Sequence, residues 1–242
     1  MKKFLKKTAI AAALAGSVFA ANAVPVVGSF NMTFGLVEVS LGLVDWNNGI
    51  GVAPYYNPGA HAVRTYGQFT LPPLASTLSF AGLGSTMGII QDLSGVPGDA
   101  DFVPIGAGLT PRFIQLAAQP NWLFTETFLS PGTFPSTPYI LTELGGNVSA
   151  TISTLGTICD DTNGNGVCNV GESLTKFTGI YSAQYTNTTV AALAGIINGG
   201  GRLANNTWSG TVEATAIPEP ESIALFGVAL LGLAAVRRRA VK

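Results

Sequence analysis

Charge is the scarcest ingredient of this chain. Asp, Glu, Lys and Arg make up 10% of its 242 residues, where about 25% is usual. That excludes a basic nucleic-acid binder and a chain held open by charge repulsion. Histidine is nearly absent, His61 being the only one, so His-rich zinc sites are excluded. A Ser-His-Asp triad would have to use His61, but no G-x-S-x-G elbow presents a serine. Its neighbours Asn57-Pro58-Gly59 read as a turn. The glycines of residues 82–88 lack the lysine that follows in a phosphate-binding loop. Asp99 and Asp101, between Gly98 and Pro104, read as a polar turn rather than a catalytic carboxylate pair. The expectation is a protein that is not an enzyme.

Apolar residues are plentiful, at 47%, enough for a sizeable core. Gly (30) and Pro (14) are frequent but follow no repeat. The few charges are unevenly placed. Lys2, Lys3, Lys6 and Lys7 crowd the start, and Arg237, Arg238, Arg239 and Lys242 crowd the end. Residues 24–236 keep four cations (Arg64, Arg112, Lys176, Arg202) against all thirteen acids, a net charge of −9. Basic ends around an acidic body suit a chain whose termini are read by export and membrane machinery.

The N-terminus carries the three parts of a secretory signal: a lysine-rich start, the apolar stretch Thr8 to Ala20, and the small residues Ala21-Asn22-Ala23. Residues 1–23 are therefore expected to be removed by signal peptidase. At the C-terminus, Ile217-Pro218-Glu219-Pro220-Glu221-Ser222 leads into fourteen uncharged residues, 223–236, followed at once by Arg237-Arg238-Arg239. Fourteen helical residues cover about 21 Å, short of the ~30 Å hydrocarbon core, and the arginines fix the cytoplasmic end. Such a span suits a temporary stop better than a permanent anchor. Two prolines keep the preceding motif extended and open to an enzyme.

The order Pro218-Glu219-Pro220, transmembrane segment 223–236, Arg237-Arg238-Arg239 resembles the PEP-CTERM sorting signal of Gram-negative bacteria. The resemblance covers residues 217–242 and nothing upstream. It implies an exosortase, a membrane-embedded cysteine transpeptidase, that removes the tail near the motif. It also implies transient residence in the inner membrane and delivery to the cell surface, in bacteria that typically make exopolysaccharide.

Residues 24–216 read as a mostly β, single antiparallel sandwich-like exported domain with one short helix. Phe30, Met32, Phe34 and Leu36 alternate with polar or small residues; the apolar phase then shifts to Val37, Val39, Leu41 and Leu43, which predicts a bulge or turn near Leu36-Val37. Further strand-like runs cover residues 65–71, 78–80, 87–90, 122–128, 147–155, 177–186 and 207–215, divided by Gly, Pro and Asn. Residues 128–138 read as an exposed loop. The helix is expected over Thr188 to Ile197, capped by Asn187 or Thr188 and closed by Gly199.

The richest local chemistry lies at residues 159–172. Counting from Asp161, oxygen-bearing side chains fall at positions 1, 3, 5, 9 and 12: Asp161, Asn163, Asn165, Asn169 and Glu172. Gly166 stands at position 6 and Val167 offers its carbonyl at 7. This is the ligand spacing of an EF-hand-type loop for Ca2+, a hard cation that takes six to eight oxygens. Strand-like flanks replace the usual helices, so the segment resembles the calcium loops of dockerin and thrombospondin. Only two of the ligands are ionised, which predicts weak binding, about 10⁻⁴ to 10⁻³ M. Cys159 and Cys168, the only cysteines, bracket the loop; in an oxidising compartment they are expected to form a disulfide.

Trp46, Tyr55, Tyr56, Tyr66, Trp122, Tyr181, Tyr185 and Trp208 are either core aromatics or a sugar-stacking face, with Trp46 and Tyr55-Tyr56, beside turns, the expected exposed members. The leading expectation is a non-enzymatic surface or matrix protein associated with exopolysaccharide or biofilm. A glycan-binding or adhesive module is the second reading and a secreted hydrolase the third.

Overall fold

Alternation explains the strands. Along one long strand Val148, Ala150, Ile152, Thr154, Gly156 and Ile158 are buried, while Ser149, Thr151, Ser153, Leu155 and Thr157 face outward; a period of two places every second side chain on one face. The computed structural model describes residues 24–40, 43–46, 66–74, 76–94, 106–130, 139–169 and 172–217. In chain order the elements are β1 (Gly28–Ser40), β2 (Leu43–Asp45), β3 (Tyr66–Thr70), a 3-10 turn (Leu78–Phe80), β4 (Met87–Gln91), β5 (Leu93–Ser94) and β6 (Gly106–Thr110). There follow β7 (Ile114–Leu116), β8 (Trp122–Leu129), β9 (Tyr139–Leu144), β10 (Asn147–Asp160), β11 (Thr175–Tyr185), α1 (Val190–Asn198) and β12 (Leu203–Ala216).

The expected mostly β, antiparallel architecture with one short helix is present. One continuous sheet supplies it, in the order β6-β8-β10-β11-β12-β1-β3-β4-β7. The sheet curls on itself, and Phe113 bridges its two sides. The Phe113 amide donates to Phe124 O (2.9 Å), and its carbonyl accepts from Gln91 N (2.9 Å). Curling leaves one enclosed face, filled by Phe30, Phe34, Trp46, Phe69, Phe124, Phe177, Tyr181 and Trp208. Phe30 meets Phe80 at 4.7 Å and Phe124 at 6.1 Å between ring centroids, so residues far apart in sequence share one core.

Local details follow the expectation in part. The phase shift in β1 is present, as register breaks between Thr33 and Leu36 and between Val37 and Val39. Residues 78–80, expected as strand, instead form the 3-10 turn. Leu78 sits at φ 51°, and Phe80 N donates to Thr77 O and Ala81 N to Leu78 O, so bonding within the turn replaces a ladder, while Ser79 N reaches across to Val27 O. The helix is capped by Thr189, whose hydroxyl accepts from Ala192 N (3.2 Å). Neither Asn187 nor Thr188 serves: Asn187 is left-handed (φ 52°), and the helix starts at Val190, which makes Thr189 the flanking residue. Gly199 ends the helix as expected. Strand β8 also runs through Leu129, past the expected start of the 128–138 loop.

Candidate calcium loop and sorting signal

β10 ends at Asp160 and β11 begins at Thr175, paired through Ile158 and Thr175. The residues between them leave the rim of the sheet as a connection stapled at its base. Cys159 and Cys168 form the expected disulfide, with Cα atoms 5.8 Å apart. Gly164 and Gly166 adopt φ of 70° and 79°, a region that favours glycine.

Within this loop the predicted ligand residues share one hydrogen-bond network. Asp161 is buried, and its two carboxylate oxygens accept from the amides of Asn165 (3.1 Å) and Gly166 (2.6 Å). Asn163 Oδ1 accepts from Asn165 N (3.0 Å), and Asn165 Oδ1 accepts from Val167 N (2.9 Å). Asn169 Nδ2 donates to Val167 O (2.9 Å) and exchanges a bond with the Asn165 side chain (3.2 Å). Glu172 closes the ring: Oε2 accepts from Asn169 N (2.8 Å) and Oε1 from Asn163 Nδ2 (3.2 Å). The residues at positions 1, 3, 5, 7, 9 and 12 are thus linked to one another within one short segment, and their side chains and the Val167 carbonyl supply oxygens. Such a donor set, with no nitrogen or sulfur ligand, fits a hard cation.

One participant lies far from the loop in sequence. Arg112, at φ 60° in the turn between β6 and β7, extends Nη2 to 3.9 Å from Asp161 Oδ2. A Cβ placed on Gly166 would stand 2.8 Å from the same nitrogen. The guanidinium thus underlies the loop and partly neutralises its one buried carboxylate. Its rarity in the sequence was the available signal, since residues 24–236 hold only four cations; spacing could not have paired it with Asp161.

A second residue missed by sequence reading is the acid Glu126. It lies on β8 opposite Gly156, wholly buried on the face that carries Phe124. Burial pushes its carboxyl up to about 7, with the Thr110 hydroxyl pulling the other way. The Tyr181 phenol, hydrogen-bonded to Thr154 Oγ1 at 3.4 Å, is raised by the same burial, and the Glu126 carboxyl adds to it.

The aromatic candidates divide. Trp46, expected to be exposed beside a turn, is fully buried: it stacks on Phe34 at 4.8 Å, meets Trp208 at 5.8 Å, and donates Nε1–H to Gln91 O (3.0 Å). Gly67 leaves the room it needs, because a Cβ there would run into Trp46. Tyr66, Tyr181 and Trp208 are buried as well; Trp122 and Tyr185 are half-buried. Tyr55, Tyr56, His61, Asp99 and Asp101 lie outside the described residues. So do the signal segment 1–23, the motif Pro218-Glu219-Pro220, the transmembrane segment 223–236, and Arg237, Arg238 and Arg239. Among the described residues no helix is long and apolar enough to cross a membrane.

Residues 216–239 match the family model of the PEP-CTERM protein-sorting motif. No curated protein and no solved structure matches the chain. The C-terminus is therefore a PEP-CTERM sorting signal, the mark of an exported protein handled by an exosortase on its way to the cell surface. The β domain stands without a matched relative.

Proposed function

We propose that this chain is a non-enzymatic cell-surface or extracellular-matrix protein whose β domain is exported, freed of its tail by an exosortase, and associated with exopolysaccharide or biofilm. The observation that carries the reading is the sorting motif at residues 216–239. Two further observations support a structural role. Glu126 is sealed in an aromatic core, and Asp161 and Glu172 are committed to hydrogen bonds inside their own loop. These carboxylates serve the fold.

In this reading the 159–172 loop holds Ca2+ through Asp161, Asn163, Asn165, the Val167 carbonyl, Asn169 and Glu172. The ion would draw these oxygens inward and tie β10 to β11, stiffening the domain outside the cell, where calcium is abundant. The disulfide orders the loop without donating a ligand. Trp46 belongs to the core, so it does not serve a sugar-binding face.

The sorting half of the proposal is tested by replacing Arg237, Arg238 and Arg239 with Gln and following the protein in cell fractions. The expected result is accumulation of tailed protein in the inner membrane. Unchanged delivery to the surface would contradict it.

A further inference from the structure

Strand register places both terminal segments at one end of the curled sheet. Ala216, the last residue of β12, pairs with Thr175, and Ala214 pairs with Gly28, the first residue of β1. The chain therefore enters at Val24 and departs at Ile217 from the same rim. Only six residues, Ile217 to Ser222, separate the final strand from the apolar segment 223–236. Fully extended, they span about 20 Å. While the tail is in the membrane, this rim cannot stand far from the lipid.

The same rim is where exposed apolar side chains gather. The described residues include eleven exposed large hydrophobics. Six lie on segments at this end: Val24, Leu74, Leu78, Met87, Val167 and Leu174. Leu74 and Leu78 belong to the β3–β4 connection, which antiparallel pairing of β3 with β1 brings to the exit end. Val167 is on the stapled loop and Leu174 immediately precedes β11. Leu74 is fully exposed and Leu78 is 70% exposed. Both occupy the left-handed region, at φ 61° and 51°, which is unfavourable for a bulky residue. Scattered surface leucines require no explanation, but a rim of them beside a membrane tether does. The loop's acids do not oppose contact, since Asp161 and Glu172 turn their oxygens inward.

We propose that this rim rests on the lipid bilayer while the tail is in place, with Leu74, Leu78, Val167 and Leu174 dipping into the headgroup–acyl boundary. The contact would hold the Pro218–Ser222 stretch at the membrane surface, within reach of a membrane-embedded enzyme. The inference rests on the sorting reading, because the tail is what brings this end to the lipid.

The test uses the full chain reconstituted in phosphatidylethanolamine/phosphatidylglycerol vesicles, carrying one environment-sensitive fluorophore on an introduced cysteine. Four sites are compared: Leu74→Cys and Leu78→Cys on the rim, Leu144→Cys at the opposite end, and Gly232→Cys in the tail. Leu144 is 83% exposed at the β9–β10 hairpin, so it is the matched control. Acyl-chain doxyl lipids should quench the two rim labels at least about threefold more than Leu144→Cys, as interfacial burial requires. Gly232→Cys should be quenched throughout. Equal quenching at the rim and at Leu144, with Gly232→Cys quenched, overturns the inference and leaves the sorting reading standing. An unquenched Gly232→Cys overturns both. Rim labels shielded from aqueous iodide yet untouched by doxyl lipid would mean that protein, such as a second copy, covers the rim, and that also overturns the proposal.

Discussion

The enclosed face of the sheet and the stapled loop are built on opposite plans. In the core, Trp46 meets Trp208 and Phe34 meets Tyr181, pairs well over a hundred residues apart in the chain. In the loop, the bonds joining the predicted ligand residues span at most nine positions. The core is apolar, and burial on its aromatic face pushes the Glu126 carboxyl up to about 7; the loop is polar, and its acids face their own amides. The comparison teaches that the fold's stability is collective while its candidate chemistry is local. Substitutions should separate the two.

The largest effect is expected at Trp46. Trp46→Ala removes a fully buried indole and its bond to Gln91 O, and should cost about 3–5 kcal/mol in chemical denaturation. A loss below about 1 kcal/mol would show that the core is not shared in this way. Glu126 gives the next effect, and its sign is fixed by the raised carboxyl. The folded state holds the proton more tightly than the unfolded chain, so the stability Glu126 contributes is fully present below about 4.5 and is lost as pH rises through about 7. The full loss is about 3 kcal/mol by pH 8. Glu126→Gln should flatten that profile and make the variant the more stable protein at pH 8, as read by denaturant midpoints at pH 5 and 8.

Opening the Cys159–Cys168 bond should cost about 2–3 kcal/mol, as expected for a ring of this size. Trp46 should stay buried, because its partners Phe34, Gln91 and Trp208 lie outside the loop; an unchanged tryptophan emission maximum, summed over Trp46, Trp122 and Trp208, in the reduced, folded protein checks this. Calcium should act more gently. At tenfold excess over Kd it adds about 1.4 kcal/mol, a rise of roughly 2–6 °C in Tm. Glu172→Gln should remove most of that rise, and magnesium, which prefers rigid octahedral sites, should give little. The smallest effect is expected from Arg112→Gln. Removing a cation 3.9 Å from Asp161 should tighten calcium binding about threefold, measured by titration calorimetry, without touching the core.

Legibility in the sequence followed the same divide. The stapled turn could be read because its polar side chains, turn glycines and cysteines are fixed by spacing along one segment. Long strands such as β10 and β11 could be read from period two. Short β2, β5 and β7 and the glycine-rich β6 could not, since two to five residues carry too little alternation and owe their pairing to neighbours. Trp46 followed a turn signal outward in the sequence, but tertiary packing carries it inward against Gly67 and Phe34. Arg112 and Glu126 were invisible as partners because their surroundings are assembled by closure of the sheet. Helix α1 was placed to within two residues at its start, and the error came from Asn187, whose left-handed backbone delays the cap to Thr189.

The central claim is that a folded β domain is cut free from a disposable membrane tail. Intact mass of the protein, taken from cell envelope and medium of cells making an active exosortase, tests it most directly. The account predicts a species that begins at Val24, retains the Cys159–Cys168 bond, and ends near Pro218–Glu221. A mass that still includes residues 223–242 in the mature surface protein would contradict it.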